Sequence, residues 1–183
     1  LLAFFEQRFL FVNVVDPLVE QIASTSYREI GVIATKTTIH SGIYTARLRD
    51  RIPGVHVHPL ATPLLAPMIE EGFGRDAISK SVLDAYLGDE KLAGIDALLL
   101  ACTHYPLIRP EIESWYGGRV AVFDSTDVVA NAAWKRLSEA NLLNPARLKE
   151  NRFYVSDYTP SFEEAARLFY GAEVSLEHHD LWS

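Results

Sequence analysis

Apolar runs alternate with amphipathic segments along most of this chain, from about residue 29 onward. Short apolar runs bounded by turn-forming residues are typical of buried strands. They occupy residues 30–34, 55–59, 98–101, 120–123 and 153–155. Between them the apolar positions recur at helical spacing, as Ile78, Val82 and Leu83 do. This alternation predicts βαβ units that share a parallel sheet.

The segments between the strands predict helices and loops with recognisable ends. The predicted helices cover residues 43–51, 75–87, 106–115, 127–140 and 162–169. Residues 35–38 are expected to form a loop, with Ser41 as the N-cap of the next helix. A second loop, flanked by Pro63 and Pro67, is expected to lead to Glu70. Residues 14–17 read as a linker.

Composition and charge narrow the class of protein. Of the 183 residues, 49% are hydrophobic, which is enough to build a core. The net charge of −7, without a cluster of lysines and arginines, argues against nucleic-acid binding. The single cysteine excludes an intramolecular disulfide framework. The apolar start lacks the charged region of a signal peptide and is too interrupted to span a bilayer, so we expect a cytoplasmic protein without membrane association.

The most informative candidate for chemistry is Cys102, which stands where the apolar run 98–101 ends. Ligands bind at the carboxyl ends of strands in open parallel sheets, and a following helix N-terminus favours a thiolate. His104 could hold the proton balance of the sulfur. The alternative is a buried cysteine that acts as a small hydrophobe. The polar residues Thr103, His104 and Tyr105 favour a site, because a filler cysteine needs none of them.

Threonines follow the first predicted strand. At a strand-to-helix turn, the hydroxyls of Thr35, Thr37 and Thr38 and the backbone amides could bind a carboxylate or phosphate, with Lys36 adding charge. The alternative is that these threonines only cap the helix. The chain has neither the GxxxxGK[ST] spacing nor a GxGxxG motif, so nucleotide binding is not expected.

Two other groups of polar residues are candidates for parts of a site. A carboxylate from Glu70 or Glu71 would fix the tautomer of His104, although most such acidic pairs are solvated. His56 and His58 alternate along a strand and share one face. With the cysteine and histidine described above they suggest a zinc site, but no CxxC or HExxH spacing supports one, and no metal is expected.

Several motifs together resemble the glutamate racemase family, within the wider aspartate/glutamate racemase superfamily. They occur in the family's order across nearly the whole chain. The most specific is Ala-Cys-Thr-His-Tyr-Pro at residues 101–106. The others are Gly-Val-Ile-Ala-Thr-Lys-Thr-Thr at 31–38 with Ser41 and Tyr44 following, the segments at 62–63 and 67–70, Asp124-Ser125, and Phe-Tyr-Val-Ser-Asp at 153–157.

The resemblance implies a cofactor-independent isomerase that interconverts L- and D-glutamate for peptidoglycan synthesis, and so serves cell-wall biogenesis and cell shape. Inverting a stereocentre by proton transfer needs one base on each face of the α-carbon. Family members use two cysteines, one from each of two pseudo-symmetric α/β domains. The resemblance implies glutamate as the small-molecule partner and allows a homodimer.

The resemblance also assigns residues and domains. It gives catalytic roles to Cys102, His104 and Glu70, and substrate contacts to Thr35, Thr38 and Thr103. It implies a parallel-sheet, flavodoxin-like second racemase domain at 15–124. Residues 1–14 would be the end of the first domain with a linker, and 125–183 a C-terminal α/β segment returning to that largely missing domain.

The sequence departs from the family at its start. The family's early Asp-Ser-Gly element, its Pro-Tyr-Gly loop and its first cysteine within Cys-Asn-Thr have no match here. We therefore expect that this chain does not racemise by itself.

Three alternatives stay open at the level of sequence. The first is a racemase of another substrate, such as aspartate, a hydantoin or a malonate. The second is a cysteine hydrolase or transferase with Cys102 as nucleophile and His104 as base. The third is a noncatalytic amino-acid-binding module.

Overall fold

A computed structural model describes residues 9–72, 77–144, 146, 151–157, 166–167, 170 and 174–180. Its helices and strands follow the order α1 (Val15–Ala23), β1 (Glu29–Ala34), α2 (Lys36–Ser41), α3 (Ile43–Arg51), β2 (His56–Ala61), α4 (Leu65–Glu70), α5 (Ala77–Leu87), β3 (Ala97–Leu100), α6 (Arg109–Tyr116), β4 (Ala121–Asp124), α7 (Thr126–Glu139), β5 (Phe153–Val155) and β6 (Leu176–His178). Short 3-10 turns cover Glu90–Leu92 and Tyr105–Ile108.

The main sheet has four parallel strands in the order β2-β1-β3-β4. Its register places Ile33 of β1 beside Leu60 of β2 and Leu100 of β3, and Leu100 beside Asp124 of β4. The carboxyl ends of all four strands therefore lie along one edge, and the loops that follow them meet there. The predicted α/β class with a parallel sheet is confirmed.

Helices cover both faces of this sheet, and the alternation of side chains along β3 divides the core between them. Leu98 and Leu100 pack on one face, against residues of α4, α5 and α6. Leu99 packs on the other face, with Leu18 of α1 and Leu48 of α3. All four side chains of β3 are buried, as expected for a central strand of a doubly covered parallel sheet.

Two short helices occupy positions where loops were predicted. Residues 36–41 form α2, and its N-cap Thr35 accepts a hydrogen bond from the Thr38 amide at 3.4 Å. The left-handed Gly42, with φ of 65°, separates α2 from α3, so Ser41 is not the N-cap residue as predicted. The Ser41 hydroxyl nevertheless accepts from the Ile43 amide at 3.3 Å. The second such helix is α4, in the segment that Pro63 and Pro67 had marked as a loop.

The predicted linker at residues 14–17 is wrong, because helix α1 begins at Val15. Asn13 stabilises that start: its side-chain oxygen accepts from the amides of Val15 at 3.0 Å and Asp16 at 2.8 Å. Pro17 lies in the first turn, where its missing N–H breaks no helical hydrogen bond. Pro17, the last residue of the predicted linker, is therefore part of a helix start.

Other boundaries shift by a few residues. The helix predicted from Pro106 begins only at Arg109, after the 3-10 turn. Strand β5 pairs in parallel with β6, a three-residue strand that was not predicted because it is short and mostly polar. The predicted helix 162–169 lies mostly outside the described residues, and so do residues 75–76 of the helix predicted at 75–87. Within the described ranges, no helix has the length and apolar character needed to cross a membrane.

Candidate functional site

A cleft of about 630 Å³ lies at the carboxyl edge of the main sheet. Segments that follow β1 and β3, together with α4 and the start of α1, form its wall. The structure brings all six predicted site residues to this wall: Thr35, Thr38, Glu70, Cys102, Thr103 and His104.

A chain of polar contacts links the thiol, the imidazole and the carboxylate. His104 Nε2 lies 2.7 Å from Glu70 Oε1, and Cys102 Sγ lies 3.7 Å from His104 Nδ1. With its Nε2–H donated to Glu70, a neutral imidazole presents the Nδ1 lone pair to the sulfur. Thr103 Oγ1, at 3.4 Å, faces the same Nδ1. The arrangement allows a proton to pass between sulfur and imidazole while the carboxylate holds the ring in place.

Burial is the main influence on the thiol. Cys102 is half-buried, and this burial raises the pKa of the thiol above its ordinary value. The backbone N–H groups of His104 and Tyr105 lower that pKa in part, and the charge of Glu70 raises it further. A 3-10 turn follows Cys102 instead of the expected α-helix, and its amides lower the pKa by less than burial raises it, so the net shift is away from the expected thiolate. Cys102 therefore rests as a thiol and needs a nearby proton acceptor.

The threonines form a hydroxyl wall beside the thiol. Thr35 Oγ1 lies 3.1 Å from Thr38 Oγ1, and Thr37 also lines the cleft. The capping interpretation is confirmed for Thr35, whose hydroxyl still faces the cleft. Lys36 is exposed, and the described wall of the cleft holds no lysine or arginine. An anionic substrate would thus meet hydroxyl groups on this side of the cleft.

Sequence reasoning gave no site role to one prominent residue of the wall. Tyr44 is 6% exposed and lines the cleft from α3. Its pKa is raised by burial and, secondarily, by the negative charge that Cys102 can carry. The only signal in the sequence was the position of Tyr44 shortly after Ser41 in a family motif.

The two histidines of β2 belong to a different cluster. His56 Nδ1 lies 2.5 Å from Glu29 Oε1, and His58 Nε2 lies 2.8 Å from Glu29 Oε2. These hydrogen bonds lower the pKa of the Glu29 carboxyl. Glu29 and His56 begin β1 and β2, at the sheet edge opposite Cys102. The structure therefore does not bring the histidine pair to the thiol, as the four-residue zinc site would require.

Comparison with known proteins agrees with this arrangement. The family model described as Asp/Glu/Hydantoin racemase matches residues 11–133. The glutamate racemase of Chlorobaculum tepidum is 38% identical over 154 residues, which is 84% of this chain and 57% of that protein. The glutamate racemase of Neisseria meningitidis serogroup A is 36% identical over 82% of this chain and 56% of its own length. The chain thus spans just over half the length of these relatives.

Solved structures give the same family. The crystal structure of glutamate racemase from Francisella tularensis, in complex with D-glutamate, superposes with a TM-score of 0.82 at 32% identity and covers 92% of this chain and 63% of that one. A glutamate racemase isoform from Bacillus anthracis gives a TM-score of 0.86 at 28% identity. That match covers 98% of this chain and 69% of the other one. The resemblance seen in the sequence is confirmed. The chain belongs to the Asp/Glu/Hydantoin racemase family.

Proposed function

We propose that this chain carries one half of the proton-transfer machinery of a glutamate racemase, with Cys102 as the base on one face of the substrate. The observation that carries this proposal is the Cys102–His104–Glu70 chain of contacts, with links of 3.7 Å and 2.7 Å. Thr35 and Thr38 line the same cleft as this chain of contacts. Relatives named glutamate racemase, one of them bound to D-glutamate, support the choice of substrate.

The chemistry follows from the protonation states. The thiol of Cys102 gives its proton to His104 Nδ1, and the resulting thiolate takes the α-proton of glutamate, which leaves a carbanion at the α-carbon. Thr35, Thr38 and Thr103 donate hydrogen bonds to the substrate. Racemisation then needs a second acid on the opposite face. The 183-residue sequence holds a single cysteine, so in this proposal the second acid is a thiol supplied by another part of the racemase.

The domain assignment belongs to the same proposal. Residues 15–124 would form the second racemase domain, and the stretches before and after them would associate with a first domain that carries the other thiol. The sheet supports the first part of this assignment, because strands β1 to β4 form one parallel sheet within these residues. The proposed reaction uses only thiol, imidazole and carboxylate chemistry and needs no cofactor. A lone free thiol suits the reducing cytoplasm, where we place the protein.

Deuterium exchange tests the proposed function directly. D- and L-glutamate are incubated separately with the 183-residue chain in D₂O. One enantiomer should lose its α-proton signal in the NMR spectrum. Optical rotation should show no interconversion of the two enantiomers. D- and L-aspartate serve as parallel substrates and should exchange more slowly. Sustained interconversion of both glutamate enantiomers would place two bases on this chain. Exchange of neither would remove Cys102 as a base toward glutamate.

Glu70→Gln should slow the α-proton exchange of glutamate by about 10- to 100-fold. The reason is that a neutral amide holds the His104 imidazole more weakly than the charged carboxylate does. NMR-detected exchange at pH 7 measures this loss. The matched control is Glu71→Gln, which removes the same charge from an exposed neighbour outside the cleft wall. Equal losses in the two variants would mean that general charge, and not the contact with His104, matters.

A further inference from the structure

The residue that follows His104 makes buried hydrogen bonds that the proposed mechanism does not use. Tyr105 has no exposed surface, and its hydroxyl donates to the Thr62 carbonyl oxygen at 3.0 Å. The same hydroxyl lies 2.7 Å from Thr62 Oγ1, which is also fully buried. Thr62 is in turn attached to β1, because its amide donates to the Ala34 carbonyl at 2.9 Å. The phenol is therefore held by two oxygens of a residue that is itself bonded to β1.

These contacts join the loop that carries the thiol to helix α4. The Thr62 carbonyl also accepts from the Leu65 amide at 3.2 Å, at the start of α4. Helix α4 ends at Glu70, which binds His104 at 2.7 Å, and His104 directly precedes Tyr105. The loop that carries the thiol and the helix that carries the carboxylate are thus joined at both ends.

A second buried tyrosine differs from Tyr105 in the surroundings of its hydroxyl group. Tyr116 is 4% exposed, and its hydroxyl has no hydrogen-bond partner among the described residues. Burying a hydroxyl without a partner is unfavourable. The hydroxyl of Tyr105, by contrast, is aligned with two oxygens of one residue. Burial raises the pKa of Tyr105, so the phenol stays a proton donor across the physiological range.

We propose that Tyr105 and Thr62 form a positioning pair that holds Cys102 and His104 in register with Glu70. The role in catalysis rests on the proposed function, whereas the effect on the thiol does not. The amide of Tyr105 donates to the Cys102 carbonyl at 3.2 Å, which ties Tyr105 to the residue that carries the thiol. The amides of His104 and Tyr105 also lower the pKa of that thiol. Fixing the phenol therefore fixes the backbone of the turn that follows the thiol, including the two amides that lower its pKa.

The test is the pH profile of alkylation of Cys102 by iodoacetamide, followed by mass spectrometry. Cys102 is the only cysteine in the sequence, so the signal has one source. In Tyr105→Phe the midpoint should move to higher pH, and the rate at pH 7 should fall about three- to tenfold, because the amide donors turn away from the sulfur. Tyr116→Phe, the matched control, should leave the profile unchanged. Thr62→Ser keeps the hydroxyl contact with Tyr105 and should retain most of the alkylation profile of the unchanged chain.

A midpoint in Tyr105→Phe that stays in place, or moves to lower pH, would overturn the proposal, since a lower midpoint means only that the thiol has become exposed. Thr62→Val removes the hydroxyl contact but keeps the carbonyl acceptor, so it should move the midpoint in the same direction by a smaller amount, and it serves if Tyr105→Phe fails to fold. Alkylation needs no glutamate. A shifted midpoint without glutamate exchange in the unchanged chain would therefore reject the proposed function and keep the positioning pair.

Discussion

Replacing Cys102 with serine should reduce the α-proton exchange of glutamate by about 1,000-fold or more. The serine hydroxyl is too weak an acid for His104 to deprotonate near pH 7, whereas a thiol is acidic enough. The geometry supports this, because the sulfur already lies 3.7 Å from His104 Nδ1. Solvent deuterium incorporation, followed by NMR at matched protein concentration, measures the loss.

The serine variant should retain the fold, because it changes one atom of a half-buried side chain. Its thermal unfolding midpoint should stay close to that of the unchanged chain, which separates loss of chemistry from loss of structure. Undiminished exchange in the serine variant would remove Cys102 from the mechanism and place the base at another residue.

The pH dependence of exchange follows from the same thiol. Its pKa is raised by burial, so the thiolate fraction is small at neutral pH and grows as the pH rises. Exchange should therefore increase steadily from pH 7 upward, without a plateau below the ordinary titration range of cysteine. A rate measured over a series of buffers at constant ionic strength tests this. A plateau at or below pH 7 would show that the imidazole and amides outweigh desolvation.

The sequence predicts the thiol side of the site well, and the reason is local. An apolar run that ends at Ala101 makes a central strand, and parallel strands place their carboxyl ends at one edge. Cys102 and Thr35 each follow such a strand, so their proximity follows from topology alone. Glu70 is different, because nothing in its own segment points to His104. Only the family resemblance selected it over Glu71.

Contacts between distant segments lie beyond this kind of reasoning. Thr62 and Tyr105 are separated by 43 positions, and neither carries a local signal of the other. The short helices α2 and α4 were missed for a related reason. Each has six residues, too few to show a helical period, and each is held by neighbours more than by its own propensity. Prolines near α4 also suggest a loop when they are considered alone.

Leu99→Ala should destabilise the fold by about 3 to 5 kcal/mol. Leu99 has no exposed surface and lies in β3, between β1 and β4, where it packs with residues of α1 and α3. Truncation leaves a cavity that a strand paired on both sides cannot collapse to fill. Urea unfolding followed by circular dichroism measures the change at constant m-value.

The matched control for this core change is Leu142→Ala, which truncates the same side chain where it is 62% exposed, and which should shift stability by less than about 0.5 kcal/mol. Comparing the stability changes of the two variants separates the effect of burial from the effect of the residue type. Because β3 leads directly into Cys102, the Leu99 variant should also show faster alkylation of the thiol near its lowered midpoint of unfolding, while the Leu142 variant should not. A loss below about 1 kcal/mol at Leu99 would mean that the sheet core contributes less to stability than its burial implies.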